Sequence, residues 1–183
     1  MLKMHHYTEI PGAMTVNEGE TLARLTQDKL VLEIGSLYGR STVAMARKAR
    51  VLHSVDWHRG DKHAGPRDSL EAFIQNLITH SVRHKVVIHV CKAEEIEEIL
   101  APGCFDFAYV DGLHTYESTR RFIQIAKKCV KPGGMIGVHD YYDIPHIDFW
   151  SKKGVDAEFE KLEMVVDSLA VGRVPTASEV VTS

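Results

Sequence analysis

The sequence has little of several features that would define a special class of protein. Its three cysteines, Cys91, Cys104 and Cys129, form no Cys-x-x-Cys pair. This pattern excludes a disulfide framework and predicts reduced thiols. No apolar run approaches the roughly 20 residues that span a bilayer, and the amino-terminal stretch lacks the apolar segment of a signal peptide. We therefore expect a soluble, cytoplasmic protein without a membrane partner.

Neither sign of charge dominates the chain. The net charge is −3 and the pI is near 6.4, which gives no reason to expect a nucleic-acid partner. No internal repeat, low-complexity segment or composition shift marks a second domain. A length of 183 residues suffices for one domain with a large core. We predict a single domain over 1–183, with a lead-in or lid over 1–20 and a polar tail over 175–183.

What the chain does contain is an alternation of buried-strand patterns with segments of helical spacing. Strands are predicted over 30–34, 51–55, 85–90, 105–110, 135–138, 162–168 and 169–174. Helices are predicted over 20–26, 41–49, 66–80, 93–100, 117–130 and 155–161. The alternation indicates an α/β fold, a doubly wound, mostly parallel seven-stranded sheet with helices on both faces. The last two strands have no helix between them and should form an antiparallel hairpin at one edge.

The first strand ends at an acid and two glycines, in the run Leu32-Glu33-Ile34-Gly35-Ser36-Leu37-Tyr38-Gly39. Glycines let the backbone turn sharply and let a ligand approach main-chain N–H groups. A turn between any strand and helix can also use glycine, so this motif alone leaves a purely structural role open. Leu37 stands where a dinucleotide fingerprint has its middle glycine, which makes an NAD-type oxidoreductase the weaker alternative.

Conspicuous polar residues collect where the predicted strands end. Asp56 follows the second strand, about 20 residues after Gly35, a spacing typical of the acid that binds ribose hydroxyls; its alternative role is to cap the following loop. Further polar residues follow the later strands, at Lys92–Glu94, Asp111–His114 and His139–Asp143. Ligands bind outside the carboxyl ends of strands in an open α/β sheet. The sequence therefore predicts one site assembled from these ends.

Taken in order with Val130-Lys131-Pro132-Gly133-Gly134, these motifs resemble the class I S-adenosylmethionine-dependent methyltransferases. The stretch Asp111-Gly112-Leu113-His114-Thr115-Tyr116 and the later His139-Asp140-Tyr141 are similar to small-molecule O-methyltransferases grouped with cephalosporin hydroxylase and with rhamnosyl and macrolide-sugar methyltransferases. The resemblance covers about residues 30–175. It implies a Rossmann-like methyltransferase fold, S-adenosylmethionine as cofactor and methyl transfer to a small-molecule hydroxyl.

The resemblance also implies which residues contact the cofactor. The glycine turn would hold the methionine part, Asp56 would accept hydrogen bonds from both ribose hydroxyls, and Trp57 would lie against the adenine. Glu33 would meet the amino or ribose end of the cofactor. The full set of expected cofactor contacts is Glu33, Gly35, Ser36, Gly39, Asp56, Trp57, Lys92, Ala93, Glu94 and Asp111.

The chemistry is expected at the later strand ends. Asp111 and Asp140, with His139 beside them, would bind a divalent cation such as Mg²⁺ and so orient an acceptor hydroxyl. His114 would take the proton as general base, with Asp111 as its catalytic neighbour. Metal-dependent relatives have a further acid where this chain has His139. A metal-independent site therefore stays open, in which Asp111 orders its turn, His114 caps the next helix and His139 packs in the core.

Two further expectations concern what surrounds the site. The lid over the acceptor would come from residues 1–20, from the loop 58–65 or from another subunit, so a homo-oligomer is a prediction. A protein of this fold that binds the cofactor without transferring a methyl group is the alternative to an enzyme.

Overall fold

The protein is described by a computed structural model over residues 6–176. Within that range the main-sheet strands are β1 Leu30–Ile34, β2 Val51–Val55, β3 Val86–His89, β4 Phe105–Val110, β5 Val130–Val138, β6 Leu162–Val166 and β7 Leu169–Arg173. The α-helices are α1 Val16–Leu25, α2 Arg40–Ala46, α3 Leu70–Thr79, α4 Tyr116–Cys129 and α5 Ser151–Glu158. No helix among these residues is long and apolar enough to cross a membrane.

The strands form one seven-stranded sheet in the order β6-β7-β5-β4-β1-β2-β3. β1 pairs in parallel with β2 and with β4, β2 with β3, and β4 with β5. β7 runs antiparallel to both β5 and β6. The predicted doubly wound sheet with its antiparallel hairpin is confirmed. The strand order reverses between β1 and β4, the place in such sheets where a crevice opens at the carboxyl ends.

The sheet buries an apolar layer on each face because its side chains alternate in direction. On one face Val31 and Tyr109 pack with Phe73 of α3. On the other face Leu32 and Ala108 pack with residues of α4. Both faces are therefore covered, which explains why the strands read as nearly continuous apolar runs.

The structure moves several predicted boundaries. Helix α1 begins at Val16 rather than at Glu20, because Thr15 and Glu18 form a capping box. Helix α3 begins at Leu70 rather than at Pro66, because Gly65–Pro66 pairs with Gly60–Asp61 in a small hairpin. A capping box is visible in the sequence as Thr-x-x-Glu, so the start of α1 at Val16 could have been predicted.

The Pro132-Gly133-Gly134 segment was expected to lie between a helix and a strand, but it belongs to β5. The pairing of β4 with β5 shifts register between Phe105 and Phe107. Gly133 has a φ of +80°, and its N–H donates to the carbonyl of Val174 at 2.9 Å. Main-chain pairing thus continues through the glycines. The outer parts of the predicted lead-in and tail, residues 1–5 and 177–183, lie outside the described residues.

A candidate active site at the carboxyl ends of the strands

A cavity of about 480 Å³ opens at the carboxyl ends of β1, β2, β4 and β5. This volume is within the range of small-molecule sites. Main-chain hydrogen bonds keep the strand ends together: Asp111 N–H donates to Ile34 at 2.8 Å, and His139 N–H donates to Val110 at 3.0 Å. The predicted site residues on its wall are Gly35, Ser36, Asp56, Trp57, Lys92, Ala93, Glu94, Asp111, His114, His139 and Asp140.

Position 35 requires glycine because the turn after β1 lies very close to the turn after β4. The φ of Gly35 is +87°, and a Cβ at this position would lie 2.1 Å from the carbonyl oxygen of Asp111. Gly39 has a φ of +90° and precedes α2, but it packs against Phe73 and is not on the cavity wall among the described residues. Gly39 therefore contributes the shape of the turn, and its expected contact with the cofactor stays a prediction.

The carboxylate of Asp56 accepts hydrogen bonds from the main chain of the glycine turn. One oxygen accepts from the N–H groups of Ser36 at 2.9 Å and Leu37 at 2.8 Å, and the other accepts from that of His58 at 2.7 Å. A carboxylate has about four acceptor positions. Three are used within the described part of the chain. At least one acceptor position stays available for a ribose hydroxyl, and the expected contact of Asp56 with the ribose stays a prediction.

Glu33 does not reach the cavity wall within residues 6–176. Its side chain is fully buried, and its two oxygens accept from the hydroxyls of Ser41 and Thr42, both at 2.6 Å. Burial raises the pKa of Glu33 to about 8, although these two hydrogen bonds lower it. The expectation that Glu33 meets the cofactor is corrected: its position on β1 places it beneath α2, where it joins the helix to the strand.

The expected adenine side is formed by the ends of β2 and β3. Trp57 is 43% exposed, and its indole N–H donates to the carbonyl of Gly60 at 2.8 Å. The ammonium of Lys92 lies 5.4 Å from the centre of the Trp57 ring. The indole is thus fixed at the cavity rim, with Ala93 and Glu94 beside it on the same wall.

Asp111, His139 and Asp140 form the one cluster among the described residues that can offer three metal-ligating atoms. One atom from each lies within 4.8 Å of the others. The Nδ1 of His139 is 3.4 Å from Asp111 Oδ1 and 3.3 Å from Asp140 Oδ1. The hydroxyl of Tyr109 donates to the second oxygen of Asp111 at 3.2 Å. The predicted convergence of β4 and β5 residues is therefore present in the fold.

Glu18, which the sequence reasoning missed, completes this cluster from α1. Its Oε2 lies 3.2 Å from His139 Nε2, and both side chains are buried. Burial alone would lower the pKa of His139, but Asp111, Glu18 and Asp140 raise it to about 11. Burial alone would raise the pKa of Glu18, but hydrogen bonds from His139, Thr15 and Ser168 lower it to about 2. His139 thus lies between the carboxyl groups of Glu18, Asp111 and Asp140, all of which favour its protonated form.

His114 lies at the open side of the cluster. Its Nε2 is 3.4 Å from Asp140 Oδ2 and 3.6 Å from Asp111 Oδ1. Burial lowers the pKa of His114, although both aspartates raise it. The lowered pKa favours the neutral imidazole, which is the form that a general base needs.

Two small hairpins, which we call the rim hairpins, lie beside the cavity, and the first of them contributes residues to its wall. They are Gly60–Asp61 with Gly65–Pro66, and Asp143–Ile144 with Phe149–Trp150. His63 of the first stacks against Phe149 of the second at 5.6 Å between ring centres, and Lys62 pairs with Asp148. Pro11–Met14 lines the same cavity. Both chain segments that were expected to supply a lid are thus adjacent to the site.

A reversed strand order, a glycine turn and an acid after β2 define this chain as a Rossmann-like protein of the methyltransferase type. Residues 32–141 match the family model described as a methyltransferase domain. The match covers more than half of the chain, so the protein belongs to the methyltransferase-domain family. This confirms the resemblance that the sequence motifs indicated.

Solved structures share the fold. The cofactor-bound protein Rv0187 from MTB has a TM-score of 0.73 and 22% identity, covering 94% of this chain and 87% of that one. The O-methyltransferase TomG from Streptomyces achromogenes, solved with SAM, has a TM-score of 0.68 and 22% identity, with coverage of 94% and 86%. An O-methyltransferase from Bacillus cereus, solved with SAH, has a TM-score of 0.67 and 17% identity, with coverage of 94% and 88%.

Proposed function

We propose that this protein transfers a methyl group from S-adenosylmethionine to a hydroxyl oxygen of a small molecule, with a divalent cation held by Asp111, His139 and Asp140. The observation that carries the proposal is that this cluster and His114 open into the same cavity as the turn Gly35–Tyr38. Cofactor-holding and proton-accepting groups therefore face one volume. Two of the similar structures, TomG and the Bacillus cereus enzyme, are O-methyltransferases solved with SAM or SAH.

The cofactor half of the cavity suits S-adenosylmethionine better than a dinucleotide. The middle position of the glycine turn is held by Leu37, a side-chain-bearing residue at φ +47°. A pyrophosphate needs glycine for close backbone approach in that turn. Asp56 has an acceptor position for a ribose hydroxyl, and the carboxylates of Asp56 and Asp111 favour a cationic sulfonium.

The donor set fits a divalent cation, but it alters the expected identity of that cation. Mg²⁺ prefers oxygen ligands, whereas His139 adds an imidazole nitrogen to the two aspartate oxygens. Imidazole ligands favour first-row transition metals. We therefore propose that Mn²⁺ binds more tightly than Mg²⁺. When bound, such a cation supplies Lewis-acid lowering of the acceptor hydroxyl pKa.

The chain's own contribution to the reaction is positioning and proton transfer. His114 Nε2 accepts the hydroxyl proton while the acceptor oxygen forms its bond to the methyl carbon and the carbon–sulfur bond of the sulfonium breaks. The adjacent charges of Asp111 and Asp140 stabilise the imidazolium that results. The neutral products are the methyl ether and S-adenosylhomocysteine. Holding both reactants in one cavity supplies the orientation that this displacement needs.

The test combines calorimetry with a product assay. S-adenosylhomocysteine should bind, and Mn²⁺ should bind to the wild-type protein but not to Asp140→Asn. A panel of hydroxylated small molecules is then assayed for release of S-adenosylhomocysteine with Mn²⁺ or with a chelator. Absence of cofactor binding, or saturable binding of NAD instead, overturns the methyltransferase assignment. Methyl transfer that is unaffected by the chelator removes the cation from the proposal and leaves His114 as the catalytic group.

A cofactor-binding protein without catalysis has a distinct result in the same assay. It would bind S-adenosylhomocysteine but produce none from any acceptor, and His114→Gln would be indistinguishable from the wild type.

A further inference from the structure

The carboxylate of Glu18 makes more contacts than a helix cap requires. It accepts from the Thr15 N–H at 2.7 Å, from the Ser168 N–H at 2.8 Å and from the Ser168 hydroxyl at 2.7 Å. The same carboxylate lies 3.2 Å from His139 Nε2. Its exposed fraction is 0%. The first contact is the capping box of α1, but the other three join α1 to the β6–β7 turn and to the end of β5.

This arrangement sets the direction of the His139 ring. An imidazole that gives its Nε2–H to a carboxylate keeps the lone pair of a neutral ring on Nδ1. In this structure Nδ1 is the atom that faces Asp111 and Asp140, at 3.4 and 3.3 Å. Glu18 and the two aspartates thus lie on opposite edges of one buried ring.

We propose that Glu18 is a positioning residue that fixes the orientation and tautomer of His139 for cation binding. The proposal rests on the cation site proposed above and extends it to a residue that touches neither cation nor acceptor. A histidine ligand generally donates its second ring N–H to a carboxylate or carbonyl, and loss of that partner costs about 10–100-fold in metal affinity. Glu18 is the carboxylate that contacts the second ring nitrogen of His139.

The position requires a carboxylate and not merely a polar group. Thr15, Ser168 and His139 direct four donors at the two oxygens of Glu18. A glutamine has one acceptor oxygen, and its NH₂ group would meet at least one of these donors. The Nε2–H of His139 would then lose its partner, or the ring would exchange tautomers and present an N–H to the two aspartates.

The test measures Mn²⁺ affinity from the electron paramagnetic resonance signal of the free ion, with S-adenosylhomocysteine affinity measured in parallel. Glu18→Gln should bind Mn²⁺ about 10–100-fold more weakly than the wild type and should bind S-adenosylhomocysteine within about twofold, since Glu18 is not on the cavity wall among the described residues. Glu158→Gln is the matched control. Glu158 accepts from Arg120, Gln124 and Lys127, away from the cluster, and its loss should leave Mn²⁺ affinity unchanged.

The outcomes separate this proposal from the one on which it rests. If Asp140→Asn loses Mn²⁺ and Glu18→Gln does not, the role of Glu18 is overturned while the cation site stands. If the wild type binds no Mn²⁺, both are overturned. A second measurement does not depend on the folding of a variant. In wild-type protein loaded with ¹¹³Cd²⁺, the scalar coupling should be to Nδ1 of His139 with Nε2 still protonated, and coupling to Nε2 would refute the proposal.

Discussion

The imidazole of His114 stacks on the phenyl ring of Phe149, with ring centres 4.5 Å apart and planes inclined by 23°. The main chain adds to this contact, because the Trp150 N–H donates to the His114 carbonyl at 2.7 Å. A residue after β4 is thereby fixed by a rim hairpin that follows β5. The stacking leaves Nε2 as the ring atom directed toward Asp111 and Asp140.

This orientation predicts that His114→Gln lowers kcat for methyl transfer by about 10²–10⁴-fold, the usual contribution of a general base. S-adenosylhomocysteine affinity should stay within about twofold, because the base acts on the acceptor. His146→Gln, an exposed histidine in the hairpin loop, is the control and should leave kcat unchanged. Equal kcat values for His114→Gln and the wild type would rule out the base assignment.

The hydrogen bonds of Asp56 predict that Asp56→Asn weakens both the fold and the cofactor site. The amide retains one acceptor oxygen for three N–H groups. An unsatisfied buried donor costs about 1–3 kcal/mol, so S-adenosylhomocysteine affinity should fall by roughly 10-fold or more as the turn loosens. Calorimetry and thermal unfolding measure the two effects. Asp68→Asn is the control, since the Asp68 side chain is exposed and pairs with Arg59; an equal loss in both variants would contradict the prediction.

Gly35 and Gly103 give a matched pair for the close approach of the β1 and β4 turns. Both have positive φ, +87° and +63°, but only Gly35 has an atom in the path of a Cβ. Gly103→Ala should lose about 1–2 kcal/mol, the cost of the left-handed conformation. Gly35→Ala should lose about 1–3 kcal/mol more from the clash with Asp111. Urea denaturation measures the difference, and equal losses would show that the two turns are not in contact in solution.

The buried Glu33 predicts a stability that declines with pH. Its folded pKa is raised to about 8, whereas an unfolded glutamate titrates near about 4.3. The folded state therefore holds a proton that the unfolded state has released, and the free energy of unfolding falls between about pH 4.5 and about pH 8. Ser41 and Thr42 hydroxyls face this carboxyl, and the charge of Asp111 raises its pKa further.

Glu33→Gln removes this titration. Urea denaturation at about pH 5.5, 7 and 8.5 should show the wild type losing about 2–4 kcal/mol relative to the variant across this window. Parallel pH profiles for the two proteins would mean that Glu33 is ionised in the folded state.

Most of the fold follows from local pattern. The strand ends were placed to within a few residues because β-branched runs and glycine turns mark them, and the pairing of β6 with β7 followed from the absence of a helix between them. The proximity of Asp111, His139 and Asp140 could also be predicted from the order of the strands. Each follows a parallel strand, and parallel strands end at one edge.

The side-chain partners were not predictable in the same way. The sequence placed Glu33 in the glycine motif, but which element covers it depends on the packing of α2 over β1. Thr15 and Glu18 carried a local capping signal, yet nothing local connects Glu18 with His139, 121 residues later. Long-range contacts between polar groups depend on the assembled fold, and hydrophobic periodicity contains no information about them.

The carboxylate of Glu18 has consequences for how the molecule is made. It receives two of its hydrogen bonds from Ser168, 150 residues further along the chain. On a ribosome, α1 leaves the exit tunnel long before the turn that anchors its buried acid has been synthesised. The buried acid of α1 can therefore reach its full set of hydrogen bonds only after Ser168 has emerged, although β1, β2 and the glycine turn have been synthesised long before.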